Sequence, residues 1–318
     1  MRSSVQFIGD AIADAGIIQR SRCTPEGMNE MLLSFIEDYL ATMEADETIQ
    51  DRETALRRLR GIGLNDFSAV LWSMPLSRYP HISSLLPRMA SAQVQRRWTG
   101  TDQATLLAQS VSFMRSVSCN YSDLAGKTIA GKRILDFGCG YGRLTRLCWF
   151  YSDDVWAVDP WDEALGLCRE AGLTHNLYKS DELPSTLPVP EDFDVIIAFS
   201  VLTHTSERAT KTVLKAMRKH LRPGGVACVT IRPIEYWANC YSPANKASLS
   251  STDLEDRHRD AGFAFAPHNR QAVDGDITFG DTSMTLDWFK RNIPEWSVAA
   301  YDRSIDDPMQ RYLFLQGA

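Results

Sequence analysis

The chain has 318 residues, of which 44% are hydrophobic, 23% charged and 10% aromatic, the balance of a soluble globular protein. Its 40 acidic residues outnumber 34 basic ones, and a net charge of −6 tells against a nucleic-acid backbone as the main partner, because phosphate binding needs a basic face. No run approaches the roughly 18 apolar residues needed to span a bilayer, and Asp10 and Asp14 interrupt the stretch where a signal peptide would need an apolar core.

In chain order, Thr24-Pro25-Glu26 reads as a helix start, with a capping hydroxyl followed by proline at the first helical position. Met28, Met31, Leu32, Phe35, Ile36, Tyr39, Leu40 and Met43 then recur at helical spacing, an apolar stripe that reads as core. A second helix runs from Asp51 to Arg60 and stops at Gly61, expected in a left-handed cap. Its Arg57, Arg58 and Arg60 read as a solvated face, not as a basic patch. Pro75, Pro80 and Pro87 break the next stretch into short pieces, and a further helix occupies Gln103 to Val117. Residues 1–126 therefore read as a helical N-terminal extension.

From Lys127 onward short β-branched runs alternate with helical patterns, the signature of a doubly wound α/β fold with a mostly parallel sheet. Strands are expected at Arg133–Asp136, Val155–Asp159, Asn176–Lys179, Phe193–Phe199 and Val226–Arg232, and helices at Gly142–Phe150, Asp162–Ala171 and Ser206–His220. An irregular insertion at about 233–284 includes a hairpin from Phe263 to Phe279. A helix at Thr285–Asn292 and strands at Trp296–Tyr301 and Arg311–Leu315 follow, so residues 127–318 form the second part. The seven cysteines show no C-x-x-C pair and several lie in apolar runs, which points to a reducing, cytoplasmic setting. His81, His175, His220, His258 and His268 have no mutual metal spacing, and Asp302, Asp306 and Asp307 read as a turn, so no metal is expected.

The chemistry concentrates in Ile134-Leu135-Asp136-Phe137-Gly138-Cys139-Gly140-Tyr141-Gly142-Arg143. Glycines between a strand and a helix let backbone approach a nucleotide-like ligand. A dinucleotide loop of the form G-x-G-x-x-G would need its third glycine at position 143, which is Arg143. The acid Asp136 directly before the loop would repel a pyrophosphate and suits a cationic ligand such as an ammonium group. About two dozen residues later, Val155-Trp156-Ala157-Val158-Asp159 ends in a carboxylate at the next strand tip, placed to accept from the two hydroxyls of a ribose.

Together with the strand Phe193–Ser200 and the turn Leu221-Arg222-Pro223-Gly224-Gly225, this set resembles the class I S-adenosylmethionine-dependent methyltransferases from about Lys127 to the C-terminus. The resemblance implies a Rossmann-like, seven-stranded sheet with an antiparallel final hairpin, and S-adenosylmethionine as cofactor. By position it implies that Gly138, Gly140 and Gly142 line the methionine moiety and that Asp136 helps to hold its amine. Asp159 would take the ribose, Asp181 would face the adenine, and Phe199 and Ser200 would floor the site beside the sulfonium.

On the acceptor side, His204 follows the fourth strand, and its ordinary pKa near neutrality suits a general base. Arg232, Glu235, Tyr236 and Trp237 follow the fifth strand, and a charged pair beside aromatics suits a polar, ring-bearing acceptor. Gly280-Asp281-Thr282-Ser283-Met284, and Gln95-Arg96-Arg97-Trp98-Thr99-Gly100 as a lid element with Trp98 toward the acceptor, resemble segments of bacterial sugar- or polysaccharide-associated relatives. The expectation is O-methylation of a sugar hydroxyl or a similar polar metabolite, by a chain whose small-molecule or glycan acceptor and oligomeric state, including a homo-oligomer, stay open. N- or C-methylation of a small metabolite, and a non-catalytic cofactor-binding scaffold, are the alternatives.

Overall fold

The computed structural model describes residues 32–242 and 249–318. The helix start at Thr24, the stripe residues Met28 and Met31, Cys23 and Pro243 lie outside the described residues.

The rest of the N-terminal stripe passes through a single tight turn, Ser34–Ile36, into α1 (Glu37–Glu44). Leu33, Ile36, Leu40 and Met43 are buried, but Phe35 is 92% exposed, because the three-residue period of that turn rotates it off the apolar face. Helix α2 (Arg52–Leu59) is capped by Asp51, whose carboxylate accepts from the Thr54 amide. It does not end in a left-handed Gly61. A further tight turn carries the chain to Gly63, and that glycine, at φ +82°, makes the sharp reversal into α3 (Gly63–Trp72). Arg57, Arg58 and Arg60 are paired with Glu53, Asp46 and Asp153 respectively, so none offers a free basic patch. The proline-rich stretch still forms α4 (Pro80–Leu85) and α5 (Ala92–Thr99), and α6 runs from Gln103 past Val117 to Ala125.

Beyond it the strands are β1 (Ile134–Phe137), β2 (Val155–Asp159), β3 (Leu177–Lys179), β4 (Phe193–Ala198), β5 (Leu221–Ile231), β6 (Phe263–Pro267), β7 (Gly280–Met284), β8 (Trp296–Arg303) and β9 (Arg311–Gly317). Seven of them form one sheet in the order β3-β2-β1-β4-β5-β9-β8, and β6 and β7 pair separately. The first five sheet strands are parallel, whereas β9 is antiparallel to both β5 and β8. The expected doubly wound architecture and its final antiparallel hairpin are present.

Pleating divides the core cleanly. Ile134, Val195, Ile197, Val226, Cys228 and Phe314 face one layer, and Leu135, Ile196, Ala198, Ala227, Val229 and Leu315 face the other. The first layer holds the N-terminal helices together with α7 (Arg143–Cys148) and part of α8 (Asp162–Glu170). The second holds α9 (Glu207–Lys219) and α12 (Leu286–Asn292). The N-terminal helices thus share a continuous core with the sheet. A smaller cluster joins α10 (Glu235–Asn239) and α11 (Ser251–Ala261) to β6. No described helix is long and apolar enough to cross a membrane.

The insertion hairpin differs from expectation at its second strand, which is Gly280–Met284 rather than a segment ending at Phe279. All five β7 residues are buried despite their polarity. Each polar side chain has partners: Thr282 donates to the Thr205 carbonyl at 2.6 Å, and Ser283 accepts from the Trp237 indole at 2.6 Å. Polar satisfaction, not apolar alternation, makes this strand possible.

Candidate active site

The C-terminal ends of β1, β2, β3 and β4 converge on a cavity of about 480 Å³, where ligands bind in open α/β sheets. The loop after β1 lines it through Gly138 and Gly140. Both adopt left-handed backbone, at φ +73° and +56°. A Cβ on Gly138 would lie 2.4 Å from Val201 Cγ2, so only glycine lets the loop close against the chain leaving β4.

Asp159 at the tip of β2 is 4% exposed and accepts from the Gly140 amide and the Trp161 amide, each at 2.9 Å. One backbone bond to each oxygen fixes the carboxylate and leaves lone pairs for a diol. Burial raises its pKa to about 6, against those two backbone bonds. Asp181, Phe199, Ser200, His204 and Trp98 also line the cavity. Ser200 sits at φ +60°, with its amide donating to Thr230 Oγ1 at 2.7 Å.

Five residues expected in contact with ligands do not line the cavity. Asp136 shares the sheet face of Ile134, where its carboxylate accepts from Thr145 at 2.6 Å beneath the loop; burial raises its pKa to about 6. Gly142, at φ +75°, packs instead against α8 and its following loop, where a Cβ would meet Leu173 Cδ1 at 2.3 Å. Arg232 and Tyr236 are buried behind His204, and Glu235 is exposed away from it.

That buried group changes the reading of His204. Asp281 of β7 accepts from Arg232 and the Tyr236 hydroxyl, both at 2.9 Å, and from His268 at 3.1 Å. Arg232 also donates to the Thr203 carbonyl and to His204 Nε2, each at 2.8 Å. His204 Nδ1 lies 2.8 Å from the Gly280 carbonyl, which can only accept, so Nδ1 carries the proton and the Nε2 lone pair is taken by Arg232. Burial and the Arg232 charge lower the His204 pKa to about 3. Both ring nitrogens of His204 are therefore engaged, Nδ1 by the Gly280 carbonyl and Nε2 by Arg232, and the ring is neutral. The Arg232–Glu235 pair expected on the rim is replaced by Arg232–Asp281.

An aromatic wall, not evident from the sequence, lines the cavity. His204 stacks on Phe279, Phe279 meets Trp161 edge-on at 4.8 Å, and Trp161 lies 5.8 Å from Trp98. Arg270 sits 4.0 Å from the Trp161 ring centre and 4.5 Å from that of Phe279. Trp161 was within reach of sequence, two residues after the strand-tip acid. Phe279 and Arg270 were not, since only the β6–β7 fold brings them there. Asp307 and Gln310, in the turn between β8 and β9, also line the cavity.

The residues fit S-adenosylmethionine. The buried indole N–H groups of Trp98 and Trp161 have no partner among the described residues, and both rings line the cavity. Arg143, where a dinucleotide loop needs glycine, is 8% exposed, donates to Ser110 at 3.0 Å and lies over Phe199.

Residues 134–225 match the family model of the methyltransferase domain. The ubiquinone biosynthesis O-methyltransferase of Paraburkholderia phymatum is 32% identical over 101 residues, 30% of this chain and 43% of that protein. An uncharacterized methyltransferase of Staphylococcus carnosus is 25% identical over 139 residues, 43% of this chain and 65% of that protein. The chain thus spans less than half the length of the first of these relatives and under two thirds of the second. Among solved structures, an S-adenosylmethionine-dependent methyltransferase from Clostridium acetobutylicum superposes with a TM-score of 0.48 at 16% identity, over 71% of this chain and 97% of that one. DesVI of Streptomyces venezuelae gives 0.44 at 16% identity, over 66% and 91%.

The seven-stranded sheet order and the glycine loop after β1 accord with the methyltransferase domain that residues 134–225 match.

Proposed function

We propose that the chain transfers the methyl group of S-adenosylmethionine to a hydroxyl of a polar acceptor, a sugar or a related metabolite. The observation that carries this reading is the mixed lining of the cavity. The glycine loop and Asp159 share it with the polar groups Gln109, Asp307 and Gln310. A mostly apolar pocket with a few placed polar groups suits an oriented, hydroxyl-bearing ligand. The partial likeness to ubiquinone biosynthesis O-methyltransferases supports oxygen as the accepting atom.

In this reading Gly138 and Gly140 receive the methionine end, Asp159 accepts from the ribose hydroxyls, Asp181 and Trp161 flank the base, and Phe199 and Ser200 stand beside the sulfonium. The bound donor supplies a methyl group activated by a positive sulfur. The protein's share is to hold acceptor and donor in line and to exclude water, and positioning alone can supply about 7–11 kcal/mol of the barrier reduction. His204 acts as a positioning residue: anchored to Gly280 and Arg232, it backs Phe279.

Incubation with S-adenosylmethionine and panels of sugars, phenols and amines, followed by mass spectrometry of the product, tests this function. An O-methylated product with release of S-adenosylhomocysteine is expected. An N-methylated product would move the reaction to nitrogen. Tight S-adenosylhomocysteine binding with no turnover on any panel would leave a cofactor-binding scaffold.

A further inference from the structure

The turn between β8 and β9 carries acids that the sequence explains as a simple turn, yet its placement is specific. Gln109 of α6 donates to the Asp306 carbonyl at 3.1 Å, and Ser112 of α6 bonds Ser304 at 3.1 Å. Ser116 donates to Asp302. Gln310 Nε2 donates to Ser200 Oγ, at the end of β4, at 3.3 Å. The turn is therefore pinned against the strand end that stands beside the reacting centre in the reading above.

Two groups on this turn face the cavity with unused hydrogen-bonding capacity. Gln310 is 7% exposed and its buried Oε1 has no partner among the described residues. The half-buried Asp307 carboxylate has no hydrogen-bond partner among the described residues. Burial raises the Asp307 pKa to about 6, tempered by the charges of Arg143 and Arg232. Two lone-pair acceptors lining the same cavity call for a ligand that brings O–H or N–H donors.

We propose that Asp307 takes the acceptor's proton during methyl transfer, with Gln310 Oε1 accepting a second hydrogen bond from the same ligand. This rests on the methyltransferase reading. The acceptor oxygen forms a bond to the methyl carbon as the carbon–sulfur bond breaks. That bond's electron pair stays on sulfur, giving neutral S-adenosylhomocysteine, and the hydroxyl proton passes to the Asp307 carboxylate. Neither oxidant nor metal is required.

The test needs no acceptor. Sinefungin carries a protonated amine where the donor carries its sulfonium methyl, whereas S-adenosylhomocysteine carries nothing there. Calorimetry on Asp307→Asn should show sinefungin weakened about tenfold or more, the loss of one charge-assisted hydrogen bond, with S-adenosylhomocysteine within about twofold of wild type. Equal weakening of both, at an unchanged melting temperature, would assign Asp307 to the cofactor's own amine and overturn the proposal; so would no change in either. Asp307→Ser, read in the same way, replaces the Asn variant should that one melt early. Failure of the wild-type protein to bind S-adenosylhomocysteine would instead sink the methyltransferase reading itself.

Discussion

Asp159 is held by two backbone amides in a site that favours its protonated form, with a pKa near 6. Its folded pKa lies above the ordinary 3.8, so its contribution to stability falls as pH rises from about 3.8 to about 6. Ribose hydroxyls donating to the carboxylate favour the ionised form, so affinity for S-adenosylhomocysteine should weaken as pH drops below about 6. Asp159→Ala should weaken binding by about tenfold to a hundredfold, the loss of hydrogen bonds worth roughly 1.5–3 kcal/mol each to a charged group. Calorimetry across pH 5–8, on the order of the range where this group titrates, reads both effects. An unchanged dissociation constant in the variant would show that the ribose is held elsewhere.

His204 has the opposite sign. Its folded pKa of about 3 lies below the ordinary 6.5, so the folded state resists protonation and stability is lost as pH falls from about 6.5 toward 3. His204→Leu should remove that limb, flattening the slope by up to about 1.4 kcal/mol per pH unit. At neutral pH it should cost about 1–3 kcal/mol, because Arg232 and the Gly280 carbonyl each lose a partner. Urea unfolding at several pH values measures this, and a mutant with the wild-type slope would show that His204 is not the titrating group. The places of Gly138, Gly140 and Asp159 at the cavity were legible because their spacing is local. The state of His204 was not, because its partners stand 28 and 76 residues away.

At the scale of elements, the apolar strands β1, β2 and β4 announce themselves through buried β-branched runs, and their alternation with helices points to a parallel, doubly wound sheet, whereas the seven strands and the final antiparallel hairpin were implied by the family resemblance. β7 does not: Gly-Asp-Thr-Ser-Met shows no apolar alternation, and it exists as a strand because Arg232, Tyr236, Trp237 and Thr205 satisfy it. The short helix α4 was obscured differently, by the proline at its first position. A Cβ on Gly280 would lie 2.2 Å from the Ala266 carbonyl oxygen, a backbone atom that cannot swing aside. Gly280→Ala should therefore push β7 from β6, at a cost of about 1–3 kcal/mol. A lowered urea midpoint with an unchanged slope is expected, and a wild-type midpoint would show that the hairpin tolerates the methyl group.

For the whole molecule, the shared core layer decides what the N-terminal helices are. Leu106, Phe113, Met114 and Val117 of α6 belong to the same cluster as Ile134, Val195 and Phe314 of the sheet. A fragment of residues 127–318 would expose that layer, and the sequence division at 126/127 marks a change of pattern within one core. The fragment should aggregate or lack near-ultraviolet circular dichroism; a soluble fragment with wild-type S-adenosylhomocysteine affinity would make the helices a separable lid.

The same glycine-loop topology serves dinucleotides, and the distinction depends on Arg143 in place of the third glycine, the buried Asp136 and the paired lining of Asp159. Isothermal calorimetry of the full chain with S-adenosylhomocysteine and with NADH, in parallel at pH near 7.5, separates them directly. Saturable one-to-one binding of S-adenosylhomocysteine and no heat from NADH is the expected result. Binding of NADH with no response to S-adenosylhomocysteine would contradict it.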